Sequence, residues 1–324
     1  MSNKPSINLE RLKSDLCDLH KIGYDPETHG VTRKGWSKED YEGRLWFMEK
    51  CREIGLDPYM DGACNVIARY GNPDKPAVIL GSHIDTVPDG GQFDGNLGVL
   101  AGLECIRVIM ENNIELNHPV EVVAFSEEEG RFGGMFGVQS LCGFITPEWI
   151  ETVHDADGIY LKDEMIALGL DPLEALNAYR DPKTIKAFLE IHIEQGPVLE
   201  STKTDIGIVE GITGVFDWTV RLIGEANHSG TTPMEERKDA FLGLCDFGHE
   251  FPNIIEQVGS DISRLTIGKA EILPGFTHIV PGKVEFSFSG RDLCPDTLKN
   301  LADTSREKLS EIDRHKGLMF EFEE

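Results

Sequence analysis

Residues 77–110 read AVILGSHIDTVPDGGQFDGNLGVLAGLECIRVIM, in which a short apolar run is followed by a polar loop and a longer apolar run. The run at 77–80 predicts a buried strand, and the helical spacing of apolar residues over 96–110 predicts a helix. The loop between them carries glycines and ionisable side chains directly after the strand. A strand, a polar loop and a helix in this order are typical of α/β proteins.

The segments on either side continue the alternation of strands and helices. Further strands are predicted for three runs of β-branched and apolar residues, at 65–70, 120–125 and 187–193. Helices are predicted at 9–21 and 39–54, the second with Ser37 as its N-cap. The helical, acidic stretch at 146–180 is interpreted as an insertion over the sheet. We therefore predict an α/β sheet that is covered on both faces.

The order of predicted elements changes in the last third of the chain. Strands are predicted at 216–223, 265–273, 283–289 and 318–322, and helices at 234–258 and 296–314. This β-α-β-β-α-β order is that of the ferredoxin-like arrangement. We therefore expect two domains, residues 1–212 and residues 213–324.

Composition narrows the classes of function. The 324 residues include 31 Lys+Arg and 57 Asp+Glu, which gives a net charge of −26. Such an acidic surface repels phosphate backbones and anionic lipids, so we expect neither nucleic-acid binding nor membrane attachment. No apolar run reaches the ~18 residues of a membrane span, and the first residues do not resemble a signal peptide. Seven scattered cysteines indicate free thiols in a reducing compartment. A cytoplasmic, small-molecule enzyme or binding protein is the class that remains.

Ionisable side chains follow each of the predicted strands of the first domain. They are His83 and Asp85 after the first strand, Asp94 before the helix at 96, the glutamates at 127–129, and the sequence EIHIEQG at 190–196. Ligands bind outside the carboxyl ends of strands in open α/β sheets, and histidines with carboxylates form zinc-type ligand sets. Taken singly, each group is more typical of a hydrogen-bonded pair, a turn or a solvated loop than of a metal site. The residues alone leave a metal site and a set of satisfied polar groups both open.

Four stretches resemble the carbamoylase branch of the M20 metallopeptidase clan. They are GSHIDTVPDGGQFDGNLGVLAGLE at 81–104, VVAFSEEEGRFGGMFGVQS at 122–140, EIHIEQGPVLES at 190–201 and GEANHSGTTPMEERKDA at 224–240. That branch contains N-carbamoyl-L-amino-acid hydrolases, β-ureidopropionases and allantoate amidohydrolases. The resemblance implies a zinc-peptidase-like catalytic domain with a ferredoxin-like lid that forms a homodimer.

The resemblance also implies a centre for two divalent metal ions, zinc or manganese. His83 and His192 resemble the ligands of one ion, and Asp94 resembles the carboxylate that bridges both. Glu129 resembles a ligand of the second ion. Family members have a further C-terminal stretch with another histidine ligand, and this sequence ends at Glu324. We therefore expect a catalytic domain that is incomplete at its C-terminus and a second metal site that lacks one ligand.

The remaining assignments concern catalysis and substrate binding. Glu128 resembles the general base, Asp85 the residue that orients His83, and His228 the lid histidine that stabilises the tetrahedral oxyanion in the partner subunit. The resemblance further implies that Arg291 binds the substrate carboxylate, and that Gln195 and His278 also bind substrate. These three assignments complete the expected site.

His278 stands where family members usually have an asparagine that holds substrate, so the resemblance leaves the substrate open. The first hypothesis is a metal-dependent amidohydrolase that cleaves the ureido C–N bond of N-carbamoyl-L-amino acids. The alternatives are an allantoate amidohydrolase, a hydrolase of N-acyl amino acids or dipeptides, and a catalytically silent homologue. We expect this sequence to be a fragment or a truncated reading frame, with a short natural protein as the alternative.

Overall fold

The computed structural model describes residues 5–323, and the chain divides into two units between Lys203 and Thr204. This boundary lies a few residues before the one expected from the sequence. The helices of the first unit are α1 (Leu9–His20), α2 (Lys38–Glu53), α3 (Asn96–Glu111), α4 (Phe136–Cys142), α5 (Pro147–Thr152), α6 (Leu161–Ala167) and α7 (Val198–Thr202). Its strands are β1 (Tyr59–Met60), β2 (Val66–Tyr70), β3 (Ala77–His83), β4 (Val120–Phe125) and β5 (Ile185–Leu189).

The five strands of the first unit form one mixed sheet in the order β1-β2-β4-β3-β5. β3 lies between β4 and β5 and runs parallel to both, whereas β2 is antiparallel to β4. Because β3, β4 and β5 are parallel, their carboxyl ends lie at the same edge of the sheet. The loops that follow these three strands are therefore brought together.

Apolar side chains cover the sheet on both faces, as predicted. On one face, α1, α2 and α3 pack against β2 and β4 through residues such as Phe47, Leu103 and Val122. On the other face, Val123 lies in a smaller cluster with Leu141 of α4. The predicted insertion contains α5, α6 and a 3₁₀ helix at Pro172–Ala178, and its apolar side chains form a third cluster together with Trp36, Phe132 and Phe136.

Helix α2 begins at the predicted cap and carries a buried ion pair. The Ser37 side chain accepts a hydrogen bond from the backbone N–H of Asp40. One turn further on, Arg44 contacts the Asp40 carboxylate at 2.6 Å, and both side chains are only 1% exposed. Arg44 also donates to the carbonyl of Cys64 at 2.7 Å. The pair therefore fastens α2 to the residues that lead into β2.

The second unit contains a four-stranded antiparallel sheet with helices on one face. Its strands are β6 (Gly214–Ile223), β7 (Arg264–Leu273), β8 (Lys283–Asp292) and β9 (Met319–Glu323), in the order β7-β8-β6-β9. Its helices are α8 (Ala240–His249), α9 (Phe251–Val258) and α10 (Pro295–Lys316). Trp218, Phe247 and Phe288 lie in the core between sheet and helices. The succession of elements is the β-α-β-β-α-β order predicted from the sequence.

One predicted helix of the second unit is wrong in its extent. The sequence predicted a single helix over 234–258, but a 3₁₀ turn at Met234–Glu236 is followed by the separate helices α8 and α9. Asp239 caps the start of α8 by accepting from the N–H groups of Phe241 and Leu242. Pro252 lies in the first turn of α9, where its missing N–H is tolerated, although inside a continuous helix it would clash with the preceding turn.

Two further properties concern the chain as a whole. Within residues 5–323, no helix combines the length and the apolar character needed to cross a membrane. All seven cysteines carry free thiols.

The buried pair on α2 yields a test of the fold. Arg44→Met leaves the Asp40 carboxylate buried without its partner, so we expect the free energy of unfolding to fall by about 3–5 kcal/mol. Arg52→Met is the matched control on the same helix, because Arg52 pairs with Glu49 on the surface and we expect a change of at most about 1 kcal/mol. Urea unfolding measures both values. Equal effects of the two substitutions would contradict the expected contribution of the buried ion pair to the free energy of unfolding.

Candidate metal centre

Three side chains from three loops meet at the carboxyl edge of the first sheet. His83 is the last residue of β3, Asp94 lies in the loop before α3, and His192 follows β5. Each offers one ligand atom, and these atoms lie within 4.8 Å of one another. The His192 Nε2 atom lies 3.1 Å from Asp94 Oδ1, and the His83 Nε2 atom lies 3.9 Å from the same oxygen. Two imidazole nitrogens thus face one carboxylate.

Gly95 permits the close approach of this loop to His83. Its φ is +61°, in the region that favours glycine, and a Cβ at this position would lie 2.5 Å from His83 Nε2. The glycine that the sequence places after Asp94 therefore has a steric reason. It lets the backbone pass directly beside the imidazole ring.

Hydrogen bonds to the backbone orient both imidazole rings. The Nδ1 atom of His83 lies 3.0 Å from the carbonyl oxygen of Asp85, and the Nδ1 atom of His192 lies 2.9 Å from that of Ile193. With Nδ1 donating to a carbonyl, Nε2 carries the lone pair and faces Asp94. The sequence predicted that Asp85 orients His83, and the contact is made by its main chain. The Asp85 carboxylate lies 3.8 Å from the ring.

The Asp85 carboxylate also contacts the loop that carries the predicted base. Its Oδ2 atom accepts from the backbone N–H of Glu129 at 3.0 Å. Glu128 directly precedes Glu129 in the same loop, and its carboxylate lies 3.6 Å from His83 Nε2. Asp85 is fully buried. It therefore links the loop after β3 to the loop after β4.

The ionisable groups perturb one another's titration. Burial lowers the pKa of His83, but the carboxylates of Asp85 and Glu128 outweigh it and leave that pKa above its ordinary value. Burial raises the pKa of Glu129 to about 7, with Asp94 adding to the shift and His83 opposing it. Crowded carboxylates beside two imidazoles favour the addition of positive charge at this edge.

A divalent cation fits this donor set. Imidazole nitrogens with a carboxylate are ligands that zinc and manganese accept. In the described part of the chain, the Glu129 Oε1 and Asp85 Oδ1 atoms are buried and have no hydrogen-bond partner. A buried carboxylate oxygen without a partner is costly, and a cation near Glu129 would remove that cost.

Glu127 has a different role from its two neighbours, which the sequence analysis missed. It is fully buried, its Oε1 atom accepts from the N–H of Phe132 at 2.6 Å, and its φ is +51°. Burial raises its pKa to about 8. The glutamate run is therefore not three equivalent carboxylates, because the first closes the loop that presents the other two. Consecutive side chains next to a turn point in different directions, and a run of identical residues in the sequence does not show this.

Arg131 is the second residue that the sequence analysis missed. Its Nε atom contacts Asp155 at 3.0 Å, and its Nη1 atom contacts Glu164 at 2.8 Å and donates to the carbonyl of Gly35 at 3.1 Å. Glu164 belongs to α6, so the arginine ties the glutamate loop to the insertion. Its position in the sequence, two residues after Glu129, was the signal that could have indicated this supporting role.

The segment after β5 differs from the prediction. The strand predicted at 187–193 ends at Leu189, so Glu190, His192 and Glu194 lie outside the sheet. Glu190 accepts from the Ser82 hydroxyl, and Glu194 accepts from the first N–H groups of α7. Gln195, predicted to bind substrate, donates to Asp94 Oδ2 at 2.6 Å. Three polar side chains with separate partners explain why the backbone leaves the sheet there.

His228, His278 and Arg291 belong to the second unit, and all three are exposed. His228 forms an isolated bridge with Ile279, and the N–H of Ser229 donates to the carbonyl of His278 at 3.0 Å, so the two histidines lie in adjoining loops. The loop with His278 precedes β8, whereas Arg291 lies near the end of that strand. At about 3.3 Å per residue, the stretch of β8 from Lys283 to Arg291 spans roughly 26 Å.

Comparison with known proteins adds to this geometry. Peptidase family M20/M25/M40 matches residues 79–318, the range that holds both histidines and all the candidate carboxylates from Asp85 onwards. The chain belongs to this family. Its members depend on metal ions, and the His83, Asp94 and His192 group is a possible metal-binding group.

Individual relatives narrow the comparison. The chain is 38% identical over 323 residues to an N-carbamoyl-L-amino-acid amidohydrolase of Pseudomonas sp. (strain NS671), covering 98% of this chain and 78% of that protein. It is 38% identical over 287 residues to an allantoate amidohydrolase of Escherichia coli (strain K12), covering 87% and 69%. A hydantoinase/carbamoylase family amidase from Burkholderia multivorans matches with a TM-score of 0.87 at 31% identity, covering 98% of this chain and 77% of that one.

Gly95 provides a steric test of the centre. Gly95→Ala places a methyl group against the His83 ring, so we expect the affinity for Mn²⁺ or Zn²⁺ to fall by about 10- to 100-fold. Gly91→Ala is the control in the same loop, because a Cβ there meets nothing within 4 Å. Isothermal titration with the metal salt measures the affinity. Unchanged binding by Gly95→Ala would sink the idea that this loop must touch His83.

Proposed function

We propose that this protein is a metal-dependent amidohydrolase that cleaves the ureido C–N bond of N-carbamoyl-L-amino acids. The observation that carries the proposal is the meeting of His83, Asp94 and His192 beside Glu128 in a chain 38% identical to an N-carbamoyl-L-amino-acid amidohydrolase. An amide or ureido carbonyl resists attack by water. Hydrolysis therefore needs a polarised carbonyl, an activated water molecule and a proton carrier.

The proposed metal ligands are the residues assigned above. His83, Asp94 and His192 would hold one divalent ion, zinc or manganese, and Asp94 with Glu129 would contact a second. Such ions, when bound, polarise a carbonyl and make water a stronger nucleophile at neutral pH. Asp85 holds the His83 ring and the Glu129 backbone in place. Gln195, through its bond to Asp94, fixes the carboxylate between the two histidines.

Glu128 is the proposed general base. Its carboxylate lies beside His83 Nε2 and is 39% exposed, so it reaches both the ligand cluster and solvent. Glu127 closes the loop behind it and Glu129 is held by Asp85, which leaves Glu128 free to move a proton. It would accept the proton of the attacking water and deliver it to the leaving nitrogen.

Substrate binding is assigned to the second unit together with Gln195. The guanidinium of Arg291 suits a carboxylate, because it presents a planar fork of N–H donors. His228 would donate to the oxyanion, and His278 occupies the loop beside it. These roles follow the family resemblance, and their exposure supports them.

A homodimer is part of the proposal. Arg291 and the two loop histidines lie at opposite ends of β8, which spans roughly 26 Å from Lys283 to Arg291 at about 3.3 Å per residue, whereas an N-carbamoyl amino acid is much shorter. One substrate molecule cannot touch both ends within one chain. A site that uses Arg291 and His228 together therefore needs a second copy of the chain.

Allantoate is the second candidate substrate. The relative from Escherichia coli, an allantoate amidohydrolase, is as similar in identity as the relative from Pseudomonas sp.. Allantoate also carries a carboxylate and ureido groups, so the same centre suits it. The side chain at His278 is the position at which the two substrates could be distinguished.

A substrate panel tests the reaction. With Mn²⁺ or Zn²⁺ added, we expect N-carbamoyl-L-amino acids to release ammonia faster than their D-enantiomers or allantoate do. We also expect them to release free amino acid faster than N-acetyl amino acids do. Glu128→Gln should lower the rate by about 10²- to 10⁴-fold with metal content unchanged, because only the base is lost. Glu148→Gln, on an exposed helix, is the control. Faster release from allantoate would favour the alternative, and equal rates for both variants would overturn the role of Glu128.

Mixed dimers test the sharing of a site. His228→Ala and Arg291→Ala should each lower activity when made alone. Coexpressed, they should recover about a quarter of the wild-type rate, because random pairing of a two-fold dimer leaves one site in four with both residues intact. Dimer formation is measured by light scattering. Activity no higher than the sum of the separate variants would show that the two residues do not serve one shared site.

A further inference from the structure

Two arginines lie directly opposite each other on neighbouring strands of the second unit. In the register of β7 with β8, Arg264 pairs with Arg291. Side chains of such a pair point to the same face, with Cβ atoms about 4.5–5.5 Å apart. Both arginines are exposed, whereas their strand neighbours Leu265 and Phe288 turn to the helix-covered side. The arginines therefore share the open face of the sheet.

This pairing is unfavourable unless something compensates it. Like charges directly across strands repel, and the protein has 57 acidic residues from which a partner could come. Among residues 5–323, however, neither guanidinium forms an ion pair. Arg264 Nη1 donates to the carbonyls of Asp261 and Ser263, at 3.0 and 2.8 Å, and its other N–H groups have no partner there. The donors of the Arg291 side chain are likewise open to a ligand.

The backbone that carries the pair is firmly held. Asp292, which follows Arg291, is buried and accepts from the hydroxyls of Ser260 and Ser263, at 2.6 and 2.5 Å, and from the N–H of Cys294 at 2.8 Å. These bonds join the turn before β7 to the end of β8. The Asp292 charge is thus compensated by hydroxyl and amide donors on the helix-covered side. It does not neutralise the arginines.

We propose that Arg264 and Arg291 together bind two carboxylates, so that the substrate is an N-carbamoyl amino acid with an acidic side chain. The inference rests on the proposed function for Arg291, which takes the α-carboxylate, and adds Arg264 for the second one. One guanidinium group can donate to both oxygens of one carboxylate. A second guanidinium group beside it is therefore suited to a second carboxylate. A dianion is repelled by a protein of net charge −26, and two unpaired arginines reverse that field locally.

Kinetics with an isosteric pair of substrates test the selectivity. We expect kcat/KM for N-carbamoyl-L-aspartate to exceed that for N-carbamoyl-L-asparagine by about tenfold or more, mainly through KM, because one charge-assisted contact is added. Arg264→Gln should bring the ratio close to one, mainly by raising KM for the aspartate derivative. Arg264→Lys should keep part of the preference. Arg314→Gln, which removes one exposed arginine from α10, is the charge-matched control and should keep all of it.

Direct binding separates this inference from the proposed reaction. Calorimetry of the 324-residue chain with succinate and with its monoanionic analogue succinamate should show about tenfold tighter binding of succinate, lost in Arg264→Gln and weakened by salt. That result without ureido hydrolysis would keep the dicarboxylate site and reject the proposed function. Hydrolysis with equal kcat/KM for the two substrates, or a preference that survives Arg264→Gln, would overturn the inference and leave the function intact. Thermal unfolding checks that each variant is folded.

Discussion

The parallel pairing of β3 with β4 on one side and β5 on the other is the constraint on which the candidate centre depends. Residues far apart in sequence reach one edge only because three strands end there together. The hydrophobic faces of the sheet fix this register, since a shift by one residue would move the side chains that pack against α1, α2 and α3 to the face that packs against α4. His83 and the glutamate loop thus owe their proximity to apolar residues that take no part in the chemistry.

Like charges lie close together at two places in the protein. The sheet edge gathers more carboxylates than the neighbouring imidazoles neutralise, and two buried oxygens there have no hydrogen-bond partner in the described chain. Such a cluster destabilises the fold when it stands alone. The opposite imbalance occurs on the second sheet, where two cations face each other. In both places the protein keeps an unfavourable arrangement of like charges, which is typical of a surface that is completed by a ligand of the opposite sign.

The sequence predicted the architecture well, because apolar periodicity reports burial directly. Its motifs placed His83, Asp94 and His192 among the candidate ligands, and the structure brings these three side chains together. The sequence did less well wherever the decisive contact involves main chain or a neighbouring loop. The end of β5 at Leu189, the break between α8 and α9, and the inward turn of Glu127 depend on partners that no local pattern specifies. The pairing of the two arginines became visible only through the strand register.

The contacts of Arg131 have a consequence for exchange of segments between relatives. The inserted helices supply no ligand to the cluster, yet Asp155 and Glu164 hold the arginine that follows the glutamate loop. A chimera that replaces the insertion without these two acids would carry every ligand and still lose the support of the loop that presents them. In laboratory evolution, the arginine and its two acids should therefore be inherited as one unit.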